Sequence, residues 1–316
     1  MIRFDGQVAV VTGAGRGLGR CYAEALAARG ASVVVNDLGV ALDGGIDGER
    51  PADEVAGAIE AAGGSAVADH HSVADPDQAQ AIVQTALDAF GRIDILVNNA
   101  GISRTGRFAE QPVDEFLAVL DTHLYGALFT TRAAWPHMRA QGYGRVVMTV
   151  SALGFWGAPQ NAAYGTAKAG VYGLARALAA EGEECGVRVN CVAPAAETRM
   201  SQERFAKPGS RTWRPALVAP AVLHLAHESC ELNGEVISAF AGHFSRVQVV
   251  QGPGLRFDPR GEVEVEDFVA KLDDITAMNG AVCFANGHYD ALGRPLGVDI
   301  RALVESSAAP VTPKEN

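Results

Sequence analysis

The sequence predicts an α/β protein: one seven-stranded parallel sheet wound by helices on both faces, followed by a C-terminal extension. Two observations carry that expectation. Short Val/Ile/Leu-rich runs alternate with Ala-rich segments of helical period, the pattern of a parallel sheet covered by helices. The composition, 48% hydrophobic and 20% charged over 316 residues, supplies a substantial core.

Strands are expected over residues 7–12, 32–36, 65–68, 95–98, 145–149, 187–192 and 235–239, and seven such strands make one sheet rather than two. Helical period runs through 18–29, 52–62, 76–90, 113–139, 162–184 and 218–227. The Gly/Asp-rich stretch 39–51 reads as an exposed loop after the second strand. Beyond residue 241 an edge strand at 245–250, a helical segment at 263–278 and a loose tail at 306–316 are expected. The chain therefore divides into a main domain, 1–242, and an extension, 243–316, which docks on the main body or across a dimer interface.

Charge and cysteine usage narrow the function. Twenty-six Lys and Arg against 37 Asp and Glu give a formal net charge of -11, which disfavours nucleic acid and anionic membrane as partners. Cys21, Cys185, Cys191, Cys230 and Cys283 form no CxxC pair, as in a reducing compartment, and argue against a disulfide framework or a zinc site. Adjacent His70 and His71 point oppositely in extended chain, so no metal is expected. No apolar stretch approaches the ~20 residues that span a bilayer. The apolar run begins almost at Met1, leaving no room for a signal peptide, and a cytoplasmic location is the expectation.

After the first strand comes Thr12-Gly13-Ala14-Gly15-Arg16-Gly17-Leu18-Gly19, a TGxxxGxG spacing between strand and helix. Glycines belong where backbone must approach a pyrophosphate and aim helix N-terminal amides at phosphate, so Gly13, Arg16, Gly17, Leu18 and Gly19 are candidate cofactor residues. Strand two ends at Asp37, about 20 residues on, where a carboxylate accepts both ribose hydroxyls of NAD and repels the extra phosphate of NADP. Arg16 pulls the other way. Asp37, fixed at a strand end, is the sharper discriminator, and NAD is the expected cofactor.

Tyr164-Gly-Thr-Ala-Lys168 sets a phenol and an ammonium at i and i+4 on one helix face. A tyrosine acts as a base near neutral pH only if its pKa falls well below ~10, and a nearby lysine charge favours phenolate. Ser151, just after a strand, can orient a substrate oxygen.

With Asn98-Asn99-Ala100-Gly101 after strand four, these motifs closely resemble the short-chain dehydrogenase/reductase family over about residues 7–242. The resemblance implies a Rossmann-type domain in which Tyr164 is the general acid/base, Lys168 binds the nicotinamide ribose and lowers the tyrosine pKa, and Ser151 positions the substrate. It places Asn99, Ala100 and Gly101 beside the cofactor. A narrower likeness, in Val35-Asn36-Asp37-Leu38-Gly39, residues 85–94, Thr131 to Trp135 and His227 to Cys230, is to the (3R)-hydroxyacyl-CoA dehydrogenase units of type 2 peroxisomal multifunctional enzymes, also classed as 17β-hydroxysteroid dehydrogenases. The hydratase and sterol-carrier parts of those enzymes are absent from this sequence. Such enzymes imply a homodimer or homotetramer.

Three positions depart from the family pattern. His123 stands where most members carry Asn, matching the multifunctional subgroup, and can still hold a water. Pro194-Ala195 replaces Pro-Gly near the nicotinamide, with Thr198 retained for the carboxamide. His71 replaces the Asp that usually contacts adenine, which leaves the backbone of Ser72 and Val73 to serve there.

The resemblance places the substrate lid at 195–214, which carries Arg199, Arg204, Lys207, Arg211 and Arg214 against Glu197 and Glu203. That excess of positive charge suits CoA phosphates. Met200, Phe205 and Trp213, with Phe155 and Trp156, suit an acyl chain or a steroid ring equally. Three readings follow: an NAD-dependent oxidoreductase acting on a (3R)-hydroxyacyl-CoA, the same chemistry on a free hydroxysteroid, and a non-catalytic NAD-binding protein, which the presence of Ser151, Tyr164 and Lys168 disfavours.

Overall fold

A computed structural model describes residues 2–40, 50–198, 201 and 213–283, in two compact units spanning 1–247 and 248–316. The first unit is built on strands β1 (Val8–Thr12), β2 (Ser32–Asn36), β3 (Ser65–Asp69), β4 (Ile95–Asn98), β5 (Gly144–Thr149), β6 (Val187–Ala195) and β7 (Val236–Phe240), all parallel, and on β8 (His243–Val247), which pairs antiparallel with β7. The order is β3-β2-β1-β4-β5-β6-β7-β8. The chain leaves β1 toward β3 and then recrosses to β4, so a crevice opens between the C-terminal ends of β1 and β4. The doubly wound α/β fold expected from the sequence is the fold observed.

Helices cover both faces. On one, α1 (Gly17–Ala27), α2 (Pro51–Ala61) and a later helix, Ala219–Ala226, bury Tyr22, Leu26, Val55, Ile59 and Leu225 against the sheet. On the other, α3 (Pro76–Phe90), α5 (Gly126–Gln141) and α7 (Ala162–Gly182) bury Ile82, Val83, Met138 and Val171. Asp75 caps α3 by accepting from the Asp77 and Gln78 amides, Pro76 opens its first turn, and Gly91 ends it in the left-handed region.

Three differences from the sequence reading have physical causes. The helix expected over 113–139 is three pieces: α4 (Val113–Leu120), a π turn (Asp121–Tyr125) and α5. The widened turn brings Gly126 against Val73, where a Cβ would lie 2.8 Å from the valine side chain. The sheet has eight strands among the described residues rather than seven, and β8 begins before the edge strand expected at 245–250. Its residues are mostly exposed, so no alternating apolar stripe marks it. The tight β7–β8 turn places Ala241 (φ 48°) and Gly242 (φ 80°) in the left-handed region that a two-residue hairpin demands. This hairpin carries the first compact unit past the boundary expected at 242.

In the second unit the helical stretch expected at 263–278 is two short helices, Val265–Ala270 and Leu272–Thr276, the first opened by a Glu264/Asp267 capping box. Gln251 and Val282 form an isolated antiparallel bridge. The tail expected at 306–316 lies outside the described residues.

Candidate active site

A cleft of about 400 Å³ opens at the C-terminal ends of the strands, and Gly13, Arg16, Gly17, Leu18 and Asp37 form one side of it. Gly13 has φ 62°, and a Cβ there would lie 2.8 Å from the Ala100 Cα; a Cβ on Gly19 would run into the Gly13 carbonyl. These glycines let the β1 loop and the β4 loop touch through their backbones. Asn99 locks that contact, its side-chain amide donating to the Thr12 (2.9 Å) and Gly13 (3.1 Å) carbonyls, while the Asn99 and Ala100 N–H groups donate to Thr12 Oγ1. Next to it, buried Asn98 is held by Thr130 and Thr131. The start of α1 therefore presents its free amides to a surface cleared of side chains, the arrangement that binds a pyrophosphate.

Asp37 sits at the rim where expected. One of its carboxylate oxygens accepts from Gly15 N–H and the other from Gly39 N–H, each at 2.9 Å, so it also fastens the glycine loop. A carboxylate has about four acceptor positions, which leaves capacity for ribose hydroxyls. Arg16 lines the same end and reaches the Val40 carbonyl at 3.4 Å. Ser72 and Val73 line the cleft, but the Ser72 N–H is committed to the Gln78 side chain at 3.0 Å.

Adjoining the cleft, and sharing Val73, Ala100 and Thr122 with it, is a small pocket bordered by buried titratable groups. Lys168 lies one helical turn after Tyr164 on α7, 3% exposed, with Nζ 5.6 Å from the tyrosine ring centroid and donating to the Thr149 carbonyl at 2.6 Å. Burial pushes its pKa down to about 7. His123, on the inner side of the π turn, packs edge-on against Tyr164 at 5.1 Å between centroids. Its Nε2 lies 2.8 Å from the Ile102 carbonyl and 3.1 Å from the Ile102 nitrogen. Burial, helped by the Lys168 charge, pushes its pKa down to about 3, so the ring is neutral. His123 Nδ1 and Thr149 Oγ1 have no hydrogen-bond partner, and both residues border a small internal cavity with Lys168.

Ser151 caps the short helix α6 (Ala152–Trp156), its hydroxyl accepting from Leu153 N–H at 3.2 Å. Gly154 in that helix sits so close to α7 that a Cβ would lie 2.9 Å from the Ala169 nitrogen. This contact fixes Ser151 relative to Tyr164 and Lys168.

The family profile described as short chain dehydrogenase matches residues 7–209. The chain belongs to this family. A short-chain type dehydrogenase/reductase of Mycobacterium tuberculosis is 45% identical over 275 residues, covering 87% of this chain and 96% of that protein. Peroxisomal multifunctional enzyme type 2 of Drosophila melanogaster is 42% identical over 90% of this chain, which spans 48% of its length. The solved full-length structure of that Drosophila enzyme superposes with a TM-score of 0.77 at 35% identity, covering 96% of this chain and 50% of that one. A short chain dehydrogenase from Mycobacterium avium gives 0.75 at 38% identity, covering 87% and 96%. The likeness to the multifunctional enzymes read from the sequence therefore holds.

As a short-chain dehydrogenase the protein is an oxidoreductase acting on CH–OH groups with a nicotinamide dinucleotide, NAD or NADP, and the cleared glycine loop, the helix start and Asp37 fit such a group. At its far end, Pro194 and Ala195 close β6, with Ala195 paired to Phe240. Thr198 follows, its methyl 3.3 Å from where a Gly17 Cβ would lie and its N–H donating to Ser201 Oγ. Trp213 stacks on Phe240 at 5.8 Å and accepts the Glu197 N–H on its carbonyl. Phe155 packs edge-on against Tyr172 at 5.1 Å, turned toward the core, whereas its neighbour Trp156 is 71% exposed. Arg199, Met200, Arg204, Phe205 and Arg211 lie outside the described residues. Thr149, Ile102 and Arg104 border the cleft or the internal cavity without having been singled out from the sequence. The Asn-Ala-Gly loop immediately before Ile102 was the available signal. No helix among the described residues is long and apolar enough to cross a membrane.

Proposed function

We propose that this short-chain dehydrogenase is NAD-dependent and interconverts a (3R)-hydroxyacyl-CoA and its 3-oxoacyl-CoA, with Tyr164 as general acid/base. What supports the reading is the glycine-lined cleft that carries Asp37, together with Tyr164 and Lys168 one turn apart on α7, Lys168 bordering an adjoining pocket, and Ser151 at the head of the helix packed on α7. Bound NAD supplies the hydride acceptor. Ser151 holds the substrate hydroxyl oxygen, Tyr164 takes the hydroxyl proton, and Lys168, while charged, stabilises the phenolate that accepts it. Asp37 favours NAD because a phosphate on the 2′ oxygen would meet its carboxylate.

The substrate class is supported by relatives named peroxisomal multifunctional enzyme type 2 and peroxisomal hydratase-dehydrogenase-epimerase, at 42–45% identity in the fly, mouse and yeast proteins. A 3-oxoacyl-[acyl-carrier-protein] reductase of Synechocystis is 40% identical over 66% of this chain, so acyl thioesters recur among the relatives. The basic residues of 195–214 support the same reading through the phosphates of CoA. A free hydroxysteroid, matched only by the aromatic side chains, is the alternative. The test is reduced-cofactor formation with NAD and NADP across a panel of 3-hydroxyacyl-CoAs and hydroxysteroids. Turnover of the (3R)-acyl-CoA with NAD is expected; turnover of a steroid alone, or a preference for NADP, would overturn the respective half of the proposal.

A further inference from the structure

Lys168 is a buried ammonium with little around it to keep it charged. Its Nζ donates to the Thr149 carbonyl at 2.6 Å, the one acceptor it reaches among the described residues. An ammonium has three donors, and each one left unpaired away from water weakens the charged form. The titratable groups around it are Tyr164 on its own helix, His123 on the π turn and Cys191 on β6. Burial pushes the Cys191 thiol up to about 12 and the His123 ring down to about 3, so both are neutral near pH 7, and no carboxylate stands among these groups. A phenolate at Tyr164 nevertheless needs the lysine charge beside it.

The small pocket next to the ammonium is furnished for one further ligand of that charge. Its volume is about 10 Å³, the space of a single water, and Lys168, His123, Thr149, Thr12 and Asn98 border it. Thr12 and Asn98 are already engaged, Thr12 Oγ1 by the Asn99 and Ala100 N–H groups and the Asn98 side chain by Thr130 and Thr131. Thr149 Oγ1 and His123 Nδ1 are the polar side-chain atoms there that are buried without a partner. The shorter contact of His123 Nε2, 2.8 Å to the Ile102 carbonyl, puts the ring proton on Nε2 and leaves Nδ1 an acceptor. A hydroxyl, a ring acceptor and an ammonium donor around a water-sized space are the partners a buried water requires.

We propose that Thr149 is a positioning residue whose hydroxyl, together with His123 Nδ1, anchors a water that solvates the Lys168 ammonium and keeps it charged during turnover. The water acts as a ligand of the charge and passes no proton along. The inference rests on the proposed roles of Tyr164 and Lys168. The test compares, in the full chain, Thr149→Val, which keeps the carbonyl and loses the hydroxyl, with Thr149→Ser, which keeps both. At saturating substrate and NAD, the alkaline limb of turnover, where Lys168 loses its proton, should lie about one pH unit lower in Thr149→Val than in the wild type and return to the wild-type position in Thr149→Ser. A titration of the lysine Nζ resonances, four in this chain, follows the same proton without turnover. The Lys168 signal, identified by its loss in Lys168→Met, should titrate about one unit lower in the valine variant alone. A fall in turnover that is equal at every pH, with the lysine titration unmoved, would overturn the role of Thr149, as would a serine variant that behaves like the valine one. A wild type that turns over no 3-hydroxyacyl-CoA or hydroxysteroid while the lysine titration still shifts would overturn the proposed function and leave the assignment of Thr149 standing.

Discussion

In the cleft at the ends of β1 and β4 the structure works through side chains that are missing; on the side of the adjoining pocket, bordered by the π turn and α7, it works through side chains that are buried. Gly13 and Gly19 leave no room for a Cβ, and the free amides of α1 face the space this creates. Lys168 and His123 are nearly removed from water, and burial pushes the pKa of each well below its ordinary value. The first side is a binding surface whose failure is steric and independent of pH. The second is a proton-handling surface whose state depends on pH. A substitution on either side should therefore leave a different signature.

The largest effect is expected from filling the first side. In Gly13→Val a β-branched side chain would meet the Ala100 backbone at a left-handed φ of 62°. Left-handed strain and overpacking together cost ~2–5 kcal/mol. NAD affinity should fall by at least about a hundredfold in a calorimetric titration, equally at pH 6 and pH 9. A loss confined to one pH would break the comparison.

The second side is expected to show as pH-dependent stability. The folded Lys168 value of about 7 lies below the ~10.4 of an unfolded lysine, so between these values the unfolded chain binds more protons and stability rises with pH. That contribution is complete above the unfolded value and lost as pH falls through about 7. His123, at about 3 against ~6.5 unfolded, has the same sign in a lower window: stability is lost as pH falls from ~6.5 toward 3. Denaturant midpoints across pH should show both slopes, on the order of a few kcal/mol each. Lys168→Met should flatten the alkaline slope and His123→Asn the acid one. Unchanged slopes would mean that neither group is desolvated.

The smallest effect serves as a control outside both sides. Ala241 occupies a left-handed turn position at φ 48°, where a Cβ is unfavourable. Ala241→Gly should raise stability by roughly 0.5–1 kcal/mol in thermal unfolding and leave cofactor affinity unchanged. A destabilised variant would refute the strain at this turn.

The two sides also differed in how far they could be read from the sequence. The glycine loop, Asp37 and the Asn99-Ala100-Gly101 turn were legible because backbone approach demands particular residues at fixed spacing, and β2, β4 and α3 fall on the residues that periodicity indicated. On the other side Tyr164 and Lys168 were legible as a one-turn pair, but the setting of His123 was not. An extra residue in a π turn leaves no mark on composition, and a helix of unbroken period would not have aimed this ring at Tyr164. The hydrogen bond between Asp69 and the His71 ring left no mark either: two residues apart they share a face in extended chain, but spacing alone does not say that they pair. β8 escaped because an exposed edge strand carries no buried alternation.

The most direct test of the division between a binding side and a proton-handling side is one preparation of Tyr164→Phe, measured for both turnover and NAD affinity. Loss of a general acid/base typically lowers turnover ~100- to 10,000-fold. Removing one hydroxyl from the buried side should leave the NAD dissociation constant within about twofold. Turnover down by that range with affinity retained is the result predicted here. Turnover within threefold of the unsubstituted protein, or turnover and affinity lost together, would contradict it.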